Sequence, residues 1–328
     1  MYDLKKILLE KDFADIIGQA ETKLQLKSAL LTHRHIIIIG QPGMGKTTLA
    51  KNVAKILPEK TVNNCPFHCD PQAPVCASCK AKASKTKKIK GDELFIRVQG
   101  SPDLTAEDLI GDIDPIKALK LGPLHPEAFT PGKIFLANNG VLFFDEINRC
   151  SEKLQNALLQ ALEERKVTIG SYTVDFGVDF IFIGTMNPDD SSTEPLSDVF
   201  LDRFDLITMG YPETLENELA IIQKHGKKLI TFPDDLLSGT IGFIRNLRND
   251  PNIEKKPSVR ASLGIYERAQ ANAILNKRDE VTMADVNSII ASVLNHRIRL
   301  KPSVKYLIPP EKYIQEEFSK FQDRGDYL

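Results

Sequence analysis

Short, unbroken apolar runs alternate with amphipathic stretches over the first two thirds of the chain. The runs at 36–39, 141–144 and 180–183, the last within an expected strand over 179–184, are too short for helices and read as strands buried on both faces. A further strand is expected at 93–98 and a short last one at 206–209. Between them, 48–57 reads as a helix stopped by Pro58. The stretch 154–164 carries Leu154, Leu158, Ala161 and Leu162 at helical spacing. Strands alternating with helices predict a five-stranded parallel sheet covered by helices. The segment 100–140 is rich in Gly, Pro and Asp with only short helical signals, so it reads as an insertion. Val167-Thr-Ile-Gly-Ser-Tyr-Thr-Val174 has two strand-like triplets around Gly170-Ser171, which predicts a tight hairpin. Past Tyr211-Pro212 the pattern turns helical, with Leu263, Tyr266, Ala269 and Ala273 on one stripe and another helix at 284–294. The expected organisation is an α/β part over 1–211 and an all-α part over 212–328.

Composition narrows this only a little. With 328 residues, 42% hydrophobic and 27% charged, the chain has room for about two ordinary globular domains. Its 43 basic and 44 acidic residues give no overall basic field for nucleic acid. The apolar runs are strand-sized, so no membrane span is expected. The opening residues break their apolar stretch too early for a signal peptide, and a cytoplasmic protein is the expectation. Lysines crowd 80–90, either as a solvated loop or as a contact for an acidic partner or nucleic acid.

Candidate chemistry sits at the ends of the predicted strands. Gly40-Gln-Pro-Gly-Met-Gly-Lys-Thr47 follows the 36–39 run and fits G-x-x-x-x-G-K-[ST]. Glycines at 40, 43 and 45 let backbone N–H groups close around phosphate oxygens. Lys46 can then reach the terminal phosphates, and Thr47 can offer its hydroxyl to Mg²⁺. Val141-Leu-Phe-Phe-Asp-Glu146 ends another strand in two carboxylates. One suits Mg²⁺ held through water and the other suits polarising an attacking water. Together the two segments point to a nucleoside-triphosphate hydrolase.

Cys65, Cys69, Cys76 and Cys79 form C-x3-C-x6-C-x2-C, a spacing suited to tetrahedral structural Zn²⁺. Unligated or redox-active thiols remain the alternative, and His68 is a candidate substitute for one thiolate. Four protein thiolates would leave no open position for catalysis. Cys150 stands apart and reads as a small core residue.

These residues, with several further segments, resemble AAA+ ATPases of the MoxR and magnesium-chelatase ATPase-subunit (ChlI/BchI-like) group over nearly the whole chain. The matching segments include Phe13-Ala-Asp-Ile-Ile-Gly-Gln19, Gly100-Ser-Pro-Asp-Leu104, Pro131-Gly-Lys-Ile-Phe135 and Phe144-Asp-Glu-Ile-Asn-Arg149. Further matches are Asp108-Leu-Ile-Gly111, Leu158-Leu-Gln-Ala-Leu-Glu-Glu-Arg-Lys-Val-Thr-Ile-Gly170, Gly184-Thr-Met-Asn-Pro188, Leu201-Asp-Arg-Phe204, Pro257-Ser-Val-Arg-Ala-Ser262 and Val293-Leu-Asn-His-Arg-Ile298. The resemblance implies an AAA+ P-loop core with a helix-2 insertion at 100–133, a hairpin before the first sensor, and a helical lid.

It also implies roles by position. Gly40, Gln41, Pro42, Gly43, Met44, Gly45, Lys46, Thr47 and Thr48 would hold nucleotide, with Ile17 and Gly18 along the adenine. Asp145 matches the Mg²⁺-linked carboxylate and Glu146 the residue that activates water. Asn187 matches the sensor that orients this water. Arg203 looks like the arginine finger serving a neighbouring subunit, and Arg260 like the second sensor on the lid.

The implied protein is an ATP- and Mg²⁺-dependent motor or chaperone in a homo-oligomeric ring, expected to be a hexamer. It would remodel a partner protein, with metal or cofactor insertion as one such task, alongside a separate von Willebrand factor A domain protein or client. An MCM-like nucleic-acid motor and a slow nucleotide-dependent binding switch are the alternatives.

Overall fold

Isoleucines 36–38 are fully buried, as are Leu142, Phe143, Phe144, Phe182 and Ile183, because these runs lie inside a sheet covered on both faces. The computed structural model describes residues 4–81, 84–122, 125–168, 175–188 and 196–323. These fall into two compact units. The first comprises residues 1–16, 20–40 and 45–209, and the second 17–19, 41–44 and 210–328.

The first unit holds five core strands: β1 (His35–Ile39), β2 (Phe95–Gln99), β3 (Val141–Asp145), β4 (Ile181–Met186) and β5 (Phe204–Thr208). Their order across the sheet is β5-β1-β4-β3-β2, and every pairing is parallel. Ile37 lies opposite Gly184 on one side and Leu206 on the other. Helix α1 (Ala20–Leu31) precedes β1, and α2 (Lys46–Ile56) follows it, burying Leu49, Ala50, Val53 and Ala54. Helix α3 (Glu152–Glu163) buries Leu154, Leu158, Ala161 and Leu162, the predicted stripe.

Two strands are shifted from the hydrophobic pattern for local reasons. β2 starts at Phe95 because residues 91–94 form a 3₁₀ turn, in which the Glu93 carboxylate accepts from the Lys90 amide. β4 starts at Ile181 because the Asp179 amide is already used by the Asn138 side chain.

Three excursions leave this core. Lys60–Asn63 pairs antiparallel with Thr86–Ile89, and the cysteine loop lies between them. The 100–133 segment is more ordered than its composition suggests. Thr105 and Asp108 form a capping box on Ala106–Ile110, and Asp114 caps Pro115–Leu121. Gly111–Ile113 pairs with Phe129–Pro131. Gly111, at φ 115°, allows that pairing, since a Cβ there would lie 2.2 Å from Thr130 O. Finally, Lys166–Thr168 pairs with Asp175–Gly177. The turn expected at Gly170-Ser171 lies outside the described residues.

The second unit is built from α4 (Leu215–His225), α5 (Asp234–Asn249), α6 (Val259–Leu275), α7 (Met283–Leu294) and α8 (Pro310–Asp323). Ile241, Ile244, Ile265, Ala269, Val286, Leu294 and Ile314 are buried in its own core. A two-stranded ribbon, Ile253–Lys255 with Arg299–Leu300, adds to the helices and is too short to register as a hydrophobic run. Among the described residues no helix is long and apolar enough to cross a membrane.

Candidate nucleotide site and cysteine cluster

In a parallel sheet, loops leaving the carboxyl ends of adjacent strands converge, and here they carry the predicted chemistry. Gly40 follows β1, Asn187 follows β4, and Asp145 and Glu146 end β3, so three neighbouring strands deliver them to one edge. Gly40 N donates to Met186 O at 3.2 Å, and its missing Cβ avoids Met209 O, which would lie 2.5 Å away. Gly45 occupies the left-handed region at φ 97° as N-cap of α2. Lys46 and Thr47 therefore open the helix, where free N–H groups and the helix dipole favour phosphate. The Lys46 ammonium donates to Gly40 O.

The acidic pair is gripped by side chains that the sequence reading did not single out. Thr185, fully buried in β4, donates its hydroxyl to Asp145 Oδ1 at 2.7 Å. The Thr185 hydroxyl oxygen in turn accepts from the Glu146 amide at 3.0 Å. Arg97 NH2 lies 2.6 Å from Asp145 Oδ2. Gln99 donates to Glu146 Oε2 at 3.1 Å, and Arg149 NH1 approaches the same oxygen at 3.2 Å. Glu146 itself sits at φ 57°, a conformation unusual for a non-glycine residue. Gly100 passes so close beneath it that a Cβ would lie 2.1 Å from Glu146 O.

Alternation along β2 places Arg97 and Gln99 on one face, a signal that was legible but mute without the sheet order. Thr47 and Asp145 offer hard oxygens, the donor type Mg²⁺ prefers, and both carboxylate oxygens of Asp145 are already oriented.

Arg203 lies elsewhere. It immediately precedes β5, whose Phe204 is in register with His35 at the start of β1. It therefore stands at the amino edge of the sheet, roughly 15 Å of strand from the phosphate loop. Its guanidinium pairs with Glu163 of α3 and donates to Val199 O. Its neighbour Asp205 pairs instead with Arg34 at 3.0 Å.

Ile17, Gly18, the 41–44 loop tip and Arg260 belong to the second unit. Gly18 N-terminal to Gln19 takes φ 64°, and the Gln19 amide donates to Glu213 Oε1 at 2.8 Å. Tyr211 donates to Gln41 Oε1 at 2.7 Å. Arg260 lies in the first turn of α6, which starts where a buried ionic knot ends. Glu218, completely buried, receives both Arg248 nitrogens at 2.7 Å and Ser262 Oγ at 2.5 Å. Arg248 also donates to Pro257 O at 2.9 Å, which pins the residue three before Arg260. Burial alone would raise the Glu218 carboxyl, but the Arg248 contacts outweigh it and hold it below the usual range.

The four cysteines converge, with every Sγ within 4.8 Å of the others. A tetrahedral Zn–S4 centre with Zn–S near 2.3 Å requires sulfurs about 3.8 Å apart, so small side-chain movements close the cage. Backbone amides of Cys69, Cys76 and Cys79 each point at a cluster sulfur at 3.4 Å. Burial, reinforced by neighbouring thiols, pushes Cys65 up to about 11 and raises Cys76. At Cys79 burial also acts upward, but hydrogen bonds from Ser84 and the other thiols hold it down. His68 is outside this group and turns Nδ1 to Leu136 O at 3.1 Å. Cys150 is buried, and burial pushes its thiol up to about 11.

Comparison with known proteins agrees with this architecture. The family "ATPase family associated with various cellular activities (AAA)" matches residues 72–206, "AAA lid domain" matches 245–316, and "Magnesium chelatase, subunit ChlI" matches 12–87. A magnesium-chelatase subunit ChlI homolog of Methanocaldococcus jannaschii is 28% identical, with 96% of this chain and 92% of that protein covered. The chloroplastic subunit ChlI-2 of Arabidopsis thaliana is 29% identical over 88% of this chain and 76% of its own. A structure of the complex between magnesium-chelatase subunits BchI and BchD shares the fold at TM-score 0.50 and 20% identity. It covers 91% of this chain and 99% of that one.

Sheet order, phosphate loop and helical lid together define a P-loop AAA+ ATPase, which hydrolyses ATP with Mg²⁺. Within that class the chain is similar to the magnesium-chelatase ChlI subunits.

Proposed function

We propose that this ATPase works as a ring in which each hydrolytic site is shared between neighbouring chains. The observation that carries the reading is the placement of Arg203 at the amino edge of the sheet, opposite its own phosphate loop. Lys46 grips the phosphates, Thr47 and Asp145 hold Mg²⁺, and Glu146 with Asn187 directs the attacking water. A neighbour's Arg203 stabilises charge developing on the transferred phosphoryl, a contribution worth about 10³–10⁵ in rate in comparable enzymes. Arg260 closes from the lid, and Ile17 and Gly18 line the adenine.

The 100–133 insertion and the hairpin flanked by Lys166–Thr168 and Asp175–Gly177 form the effector surface. Its client is a partner protein, remodelled by a cytoplasmic hexamer acting as a chaperone or in metal or cofactor insertion. BchI, which shares the fold, is seen in complex with BchD. A separate von Willebrand factor A domain protein is the corresponding expectation here. Mixing Arg203→Ala with Lys46→Ala, each inactive alone, recovers ATPase activity if sites are shared. No recovery on mixing, with a monomer at every nucleotide concentration, rejects the ring. Glu146→Gln binds ATP but does not turn it over.

The four cysteines are read as a structural Zn²⁺ centre, supported by their convergent sulfurs and the N–H···S contacts. Metal analysis of the purified chain should find one zinc per protein, lost in Cys76→Ser/Cys79→Ser. Equal zinc in both forms rejects the assignment.

A further inference from the structure

Two hydrophobic clusters of the first unit share a single aromatic residue. Phe67, between the first two cysteines, packs against the buried cysteines and also against the main α/β core. Its ring meets Phe135 edge-on at 5.1 Å, stacks on Phe176 at 5.9 Å and lies 6.2 Å from Phe129. The other three rings are themselves 5.9–6.1 Å apart, closing a four-ring cluster at distances typical of favourable aromatic pairs. Each ring comes from a different place. Phe129 begins the return strand of the 100–133 insertion, Phe135 lies in the helix that follows, and Phe176 is on the second strand of the hairpin.

Polar contacts repeat the same connections. Asn138 donates to Phe67 O at 3.1 Å and accepts from the Asp179 amide at 2.9 Å, so one side chain ties the cysteine loop to the entry of β4. Asn139 donates to His68 O at 2.9 Å. Val75, just before Cys76, approaches Gly177 of the hairpin closely enough that a Cβ there would lie 3.5 Å from it.

We propose that the cysteine centre, resting on the zinc reading above, is a brace for both insertions, with Phe67 as the transmitting side chain. A loop this short has little core of its own, and a bound metal supplies the rigidity that would otherwise be missing. Fixing Cys65 and Cys69 on one ion fixes the backbone on either side of Phe67. The ring then holds the root of the insertion against the root of the hairpin. Metal occupancy thereby sets how firmly the two insertions are held, without touching the phosphate loop.

Hydrogen–deuterium exchange on the full-length protein tests this, with zinc content measured on the same samples. Phe67→Ala should keep its zinc yet exchange about tenfold faster in peptides over 129–136 and 175–181, with 46–56 unchanged. Phe67→Leu, which retains apolar bulk, should fall between it and the parent. Cys76→Ser/Cys79→Ser should lose zinc and accelerate the same two regions. An unmoved exchange pattern in zinc-loaded Phe67→Ala, or acceleration spread evenly over the unit, overturns the brace. Absence of zinc from the parent protein overturns the metal reading separately.

Discussion

Thr185 offers the sharpest test of how the acidic pair is held. Replacing it with Val keeps the shape but removes a hydroxyl that serves two groups at once: it donates to Asp145 Oδ1 and accepts from the Glu146 amide. A hydrogen bond to a charged acceptor contributes about 1.5–3 kcal/mol, and a neutral amide stripped of its acceptor costs about 1–3 kcal/mol. The two share one atom and are not additive, so a combined loss of about 2–3 kcal/mol is the reasonable scale. If that loss falls on the orientation of the two carboxylates, kcat drops by about 30- to 150-fold. The KM for ATP changes little, because the phosphate loop and its helix are untouched. Steady-state ATPase measurements at saturating Mg²⁺, with thermal unfolding as a check on folding, read this directly. Thr185→Ser restores the hydroxyl and should recover activity to within about fivefold. A folded Thr185→Val enzyme with kcat near the parent's, or a Ser variant no better than Val, would refute the bridging role.

Arg97→Gln removes a half-exposed cation from Asp145, so the Mg²⁺ needed for half-maximal ATPase should fall by about fivefold, a screened effect of about 1 kcal/mol. An unchanged or increased requirement in a Mg²⁺ titration counts against this. In the helical unit, Glu218→Ala strands the buried Arg248 charge and should destabilise by about 3–5 kcal/mol, whereas Glu218→Leu/Arg248→Met should recover more than half of that. Urea titration with hydrogen exchange read over 215–275 separates the two, and a double variant no better than the single one contradicts it. Glu218 and Asp285 both hold their carboxyls below the usual range, burial opposing and the Arg248 and Arg278 contacts prevailing. Since their folded values are depressed, their stabilisation is complete above about pH 5 and is lost as pH falls out of the ordinary carboxylate range and through the folded values. The same exchange measurement across that range should show this unit loosening on acidification, and constant protection down to pH 3 would contradict it.

Much of this molecule is legible before any coordinates. Runs such as Ile36-Ile-Ile-Ile39 can be satisfied only inside a doubly covered sheet, so strand identity follows from local pattern. Strand ends are less legible, because β2 and β4 are trimmed by Glu93 and Asn138, whose hydrogen bonds compete with the ladder. The insertion at 100–133 looks like a loop by composition yet is ordered by caps at Thr105 and Asp114, short-range devices that periodicity does not report.

By itself, the sequence determined the covalent and local terms: a glycine loop that opens a helix, carboxylates that end a strand, and four thiols close together along the chain. Which distant side chains converge on those groups was decided only by tertiary structure. Thr185, Arg97 and Gln99 reach the acidic pair because β4 and β2 flank β3, and Phe67 meets Phe129, Phe135 and Phe176 because three excursions share one root. Arg203 stands apart from its own phosphate loop for the same reason, since parallel register sets the two ends of each strand a full strand length apart. Pattern along the chain reports what each residue must bury or expose, and strand order decides what it touches.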